Sequence, residues 1–279
     1  MTSATDRLPA GSGVMPAYRQ PQRVTQVRVI RSEWTKLRTQ PSAFWALLSA
    51  VILVVGFGIG YSLLRVARPP RGAAAIASFD PTAISLSGVQ LAQIAVGVLG
   101  VLLVTSEYAT GLIRTTFAAV PRRLPVLWSK AALLVATVTA VCVPAAFAAF
   151  LGGQSILRRQ QLSVPVSEPG VVRAVIGSAL YLAVIGLVGL GVGALLRNAA
   201  GGIAVLFGLL YGIPLAAGFL PGNWATEVSK YLPATAGQAV TMVQPDPTLL
   251  QPWTGFGVLC MYAAVLIGLA AVRMRRGDA

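Results

Sequence analysis

Six long apolar runs alternate with short polar breaks along the chain, at about 43–64, 84–104, 126–151, 171–196, 199–220 and 254–272. Each approaches the roughly 20 apolar residues that a helix needs to cross a bilayer core. The pattern predicts an all-α polytopic membrane protein with six transmembrane helices. A seventh pattern precedes them. In "VTQVRVIRSEWTKLRTQPS", Val27, Ile30, Trp34 and Leu37 recur at spacings of 3, 4 and 3, one stripe of a helix. Arg28, Arg31, Thr35 and Arg38 occupy another stripe, and Pro41 ends the helix before the first run. A basic amphipathic helix with tryptophan on its apolar side lies in the headgroup plane. This one, about 24–40, reads either as a membrane anchor or as an elbow that also touches a cytoplasmic partner.

Composition sharpens the picture. The chain of 279 residues is 56% hydrophobic and 11% charged, about half the charge of a soluble domain. Residues 1–22 lack an apolar core, are rich in Pro, Gly and Ser, and read as a disordered cytoplasmic tail. Residues 23–279 read as one membrane domain. The net charge of +14 has its explanation in topology. Fifteen Lys and Arg fall on the side that holds both termini and seven on the other, which places both termini in the cytoplasm. No basic stripe is interleaved with aromatic platforms, so nucleic acid is not an expected partner.

The chemistry-bearing residues are few. There is no histidine, and Cys142 and Cys260 sit inside apolar runs, so neither a metal site nor a disulfide is expected. Gly-Lys never occurs, which removes the phosphate-binding loop of P-loop ATPases. The eight acids all fall outside the middle of the six runs, which disfavours a proton-driven carrier. Gly56 and Gly60, Gly189 and Gly193, and Gly208 and Gly212 each lie four apart, the spacing of close helix packing. Pro144 and Pro214 predict kinks.

The stretch "TSEYATGLIRTTFAAVPRR", residues 105–123, stands out. As a short helix over 107–120, it puts Glu107, Gly111 and Arg114 on one face and Ile113, Phe117 and Val120 on another, with Pro121 and Arg122 closing it. One reading has Glu107 pairing with a nearby arginine at the membrane edge. The other has a coupling helix that inserts into a cytoplasmic protein.

"RSEWTKLRTQPSAFWAL" at 31–47 and "TSEYATGLIRTTFAAVPRRLPVLWSK" at 105–130 together resemble permease subunits of type-2 ABC exporters, especially the actinobacterial form. "KYLPATAGQAV" at 230–240 resembles the family's segment before its last span. The resemblance implies a permease in a bacterial plasma membrane, paired with a second copy or a related chain and with a separate ABC ATPase subunit. That subunit would use ATP and Mg, with no cofactor in this chain and no enzymatic activity of its own. It maps an elbow helix onto Glu33, Trp34, Lys36 and Arg38. It maps the ATPase-coupling loop onto Glu107, Tyr108, Gly111, Arg114, Pro121 and Arg122. It also implies that the last external loop, about 221–253, folds partly back into the membrane. A non-transporting anchor for a cytoplasmic protein, or an ion-coupled carrier, are the competing functions.

Overall fold

The computed structural model describes residues 26–68, 70, 79–109, 123–244 and 248–276. The expected tail, residues 1–22, and most of the expected coupling loop lie outside them. Every regular element among the described residues is helical. A leading helix, Gln26–Thr39, is followed by six helices long and apolar enough to cross a membrane. They run Pro41–Ala67, Val89–Ala109, Leu124–Gln160, Val171–Leu196, Ala199–Ala217 and Pro252–Arg276, and are called spans one to six. A helix satisfies all its backbone groups internally, which hydrocarbon demands.

Local signals set the boundaries. Gln40 is extended and Pro41 opens span one, so the leading helix and the span are separate rods. Arg197 ends span four in the left-handed conformation (φ 57°), and the Asn198 side chain accepts from Gly201 N at 2.9 Å to start span five. Two residues thus reverse the chain. Span two starts later than the apolar pattern suggests. Asp80 caps a short helix, Pro81–Ser85, by accepting from Thr82 N at 2.8 Å and Ala83 N at 3.0 Å.

Span four is the centre of the bundle, 78% buried, whereas spans one and five are 22% and 17% buried. Glycines allow its close approach to span two. A Cβ on Gly189 would lie 2.1 Å from the Gly97 carbonyl oxygen, and one on Gly100 would lie 2.0 Å from that of Gly186. The Gly189/Gly193 pair therefore packs as its spacing suggests. The other two pairs do not: Gly56, Gly60, Gly208 and Gly212 have no atom within 4 Å of their Cβ positions. They sit on the two peripheral spans, which leave those faces uncovered.

Both peripheral spans also contain a wide, π-type turn, Leu53–Phe57 in span one and Gly208–Gly212 in span five. The second has a visible cause: Pro214 has no N–H to give Leu210, and the preceding turn widens so that Ile213 N donates to Gly208 O. Pro144, by contrast, lies within one continuous helix, Arg123–Leu157.

With six spans, the leading helix, the 109–123 connection, the Arg197 turn and the end of span six share one end of the bundle, called here the near end. The far end is closed by side chains. Gln154 Nε2 donates to Pro81 O at 3.0 Å and to Ser85 Oγ at 3.1 Å, while its Oε1 accepts from Val164 N at 2.9 Å. The segment between spans five and six forms Trp224–Ser229 and Pro233–Gln238. Its second helix is buried against spans four and six: a Cβ on Gly237 would lie 2.7 Å from the Tyr181 ring, ten residues into span four.

Candidate functional site: a buried ring of four charges

The near end holds the charged residues that the sequence singled out, in an unexpected arrangement. Glu33 and Lys36 lie three apart on the leading helix and both turn towards the bundle. Glu107 lies in the last turn of span two, and Lys130 in the second turn of span three. Their four side chains alternate in sign around a closed ring. Lys36 Nζ is 2.7 Å from Glu33 Oε1 and 2.9 Å from Glu107 Oε1, and Lys130 Nζ is 2.9 Å from Glu107 Oε1 and 2.6 Å from Glu33 Oε2.

The ring has zero net charge. Glu33, Glu107 and Lys130 are 4%, 6% and 7% exposed, and only the Lys36 side chain reaches the surface. Withdrawing single carboxylates and ammoniums from water is expensive, and mutual pairing is what makes such burial tolerable. Glu107 Oε2 is buried without a hydrogen-bond partner among the described residues, so its other oxygen takes both lysines. Among the described residues the partners of Glu107 are lysines, one of them 71 residues away in sequence, and the nearby Arg114 lies outside those residues. Glu107 and Tyr108 belong to span two rather than to a separate helix beginning at 107.

The leading helix is oriented by this ring. Its expected apolar stripe divides: Leu37 is buried beside Glu33, whereas Ile30 and Trp34 are 40% and 46% exposed. Arg38 is exposed as well. A second tie joins Gln40 Nε2 to Ser106 Oγ at 3.3 Å. Tyr108 carries the connection across the bundle, with the Arg197 guanidinium 5.2 Å from its ring centroid. Arg273 in turn donates to the Leu195 carbonyl, fastening the end of span six to the end of span four.

Of the sequence-predicted residues, Glu33, Lys36 and Glu107 meet in the ring, Tyr108 borders it, and Trp34 and Arg38 face outward. Gly111, Arg114, Pro121 and Arg122 lie outside the described residues. Sequence reasoning missed Lys130. The available signal was its position: a lysine one turn inside an apolar run needs a counter-charge, and among the described residues only Glu33 and Glu107 are acids at that end of the bundle.

The ring holds no nucleophile beside a base, and among the described residues no cluster of three His, Cys, Asp or Glu could hold a metal ion. Its chemical capacity is mechanical: it fixes the register of three helices. Burial opposes the Lys36 charge, but the Glu33 and Glu107 carboxylates outweigh burial and hold its pKa above the ordinary 10.5. A raised lysine pKa stabilises in full below the unfolded value, and the contribution fades as pH climbs through the folded one. The thermal midpoint should therefore show no loss from this lysine at neutral pH and a decline only above pH 10.5. A Lys36→Met chain, followed by the same melting curves from pH 7 to 11, should lack that component.

A scan with protein-family models and a search of curated proteins return no match to this sequence.

Proposed function

We propose that the chain is the permease subunit of an ATP-driven exporter of the type-2 ABC class, in a bacterial plasma membrane with both termini cytoplasmic. It works as a pair with a second permease and with separate ATPase subunits that bind ATP and Mg. The observation that carries the reading is the charge ring. It clamps the leading helix to the last turn of span two and the first turns of span three, the two helices that flank residues 110–122. Force applied to the leading helix or to that connection therefore moves both spans together. In this reading Trp34, Arg38, Gly111, Arg114, Pro121 and Arg122 belong to the surface that meets the ATPase. Glu33, Lys36, Glu107 and Lys130 transmit its movement, and Tyr108 passes it to the Arg197 turn.

The test is purification of the tagged full-length chain from its native membranes in a mild detergent. An ATPase bearing a phosphate-binding loop should co-purify, and ATP-dependent efflux from vesicles should fall when Arg114 and Arg122 are both replaced by alanine. Absence of such an ATPase, or transport driven by an ion gradient without ATP, overturns the proposal.

A further inference from the structure

An open cavity of about 420 Å³ lies at the far end, between the last turn of span one and the short helix Pro81–Ser85. Its volume falls in the range of small-molecule sites, about 300–1,000 Å³. Pro70, Phe79 and Ile84 give it an apolar wall, and Tyr61, Arg65 and Asp80 supply its polar groups.

The two charges in that lining have opposite signs but do not pair. Neither Arg65 nor Asp80 belongs to an ion pair among the described residues. Other bonds hold each in place. Asp80 is fixed as a helix cap: Oδ1 accepts from Thr82 N at 2.8 Å and Ala83 N at 3.0 Å. Its Oδ2 accepts one long bond, from Val243 N at 3.4 Å, and keeps room for a second donor. Arg65 lies over the ring of Tyr61, one turn earlier, with Cζ 5.0 Å from the centroid, and Nη2 donates to the Tyr61 hydroxyl at 2.7 Å. Its Nε is buried with no hydrogen-bond partner among the described residues. Both residues are half-buried. Charges drawn partly out of water without a counter-charge are destabilising, and here each is held off the other by its own contacts.

We infer that the cavity binds a phosphoethanolamine unit, with the phosphate on Arg65 and the primary ammonium on Asp80. One ligand of that kind neutralises both walls at once, which neither an anion nor a cation alone does. Arg65 sits in the last turn of a span, the depth of lipid headgroups, where phosphate is the abundant anion. The apolar wall accepts the carbon skeleton that follows the headgroup. Such a unit comes either from a membrane lipid or from a free solute. The site is at the opposite end of the bundle from the charge ring and does not depend on the exporter reading.

The test titrates the delipidated full-length chain, in a neutral maltoside, with three short-chain lipids and reads binding by native mass spectrometry. Phosphatidylethanolamine should bind about tenfold more tightly than phosphatidylcholine, whose cation has no N–H donor, and than phosphatidylglycerol, which has no cation. That is the ratio one hydrogen bond to a charged group supplies. Asp80→Asn retains a capping side chain and should erase the preference over phosphatidylcholine. Arg65→Gln should weaken all three lipids, and it carries the test if Asp80→Asn fails to fold. Free phosphoethanolamine added as a competitor separates the sources. Displacement of the lipid makes the site open to the solute, and lack of displacement makes the lipid its ligand; both keep the site. Equal binding of the three lipids, or unchanged binding in a folded Arg65→Gln chain, overturns it.

Discussion

Lys130→Met should lower the stability of the folded chain by about 3–5 kcal/mol, the usual loss when one partner of a buried ion pair is removed. Its ammonium is 7% exposed and bridges Glu33 Oε2 and Glu107 Oε1. Without it two carboxylates share the single, partly exposed Lys36. Glu33 Oε2 loses its only ion-pair contact among the described residues. The charge-balanced double variant, Lys130→Met with Glu107→Gln, should recover much of the loss, because it removes the stranded charge along with its partner. Thermal unfolding in detergent micelles, read by tryptophan fluorescence, compares the three chains. A Lys130→Met midpoint equal to the parent would mean that the ring is not closed in the membrane.

Gly189→Ala should produce the second large effect. Its methyl group would stand 2.1 Å from a backbone oxygen of span two, and no side-chain rotation relieves a clash with backbone. Spans two and four would have to separate, at a cost of at least about 1–3 kcal/mol. Because span four is the most buried helix, the disturbance would reach the spans packed on either side of it. Gly60→Ala is the control: that position has open space, so its midpoint should stay where it is. The same melting assay checks both. A Gly189→Ala chain as stable as Gly60→Ala would show that the two spans do not touch as described.

The six spans were legible because an apolar run of that length has few alternatives. Their ends were less so, and span two shows why. The apolar pattern sets it at 84–104, but the helix runs Val89–Ala109. At one end Ile84 and Leu86 look like membrane residues, yet Asp80 caps a separate short helix there. At the other end "TSEYA" looks like the water-exposed edge. Its glutamate is neutralised by two lysines, so the helix continues through it. Span three reaches Gln160 rather than 151 for a related reason: Gln154 finds three partners and behaves as an interior residue. A single residue's polarity reports its exposure only when its partners are known. The ring's partners come from three stretches of sequence, which no local pattern joins. The leading helix was legible as a helix, but its inward face was not, because Glu33 rather than Trp34 sets it.

The ring also imposes an order on biosynthesis. Lys130 leaves the ribosome 97 residues after Glu33, a delay of roughly 5–20 s at ordinary rates of synthesis. Glu107 emerges 74 residues after Glu33, so over the last 23 residues before Lys130 the nascent chain holds two acids and one lysine of the four, with one charge unbalanced. Arrival of the third span completes the charge balance and lets the helix seat. The lysine in the second turn of span three is thus the last of the four charges to be made, and the ring cannot close on the leading helix before that span emerges.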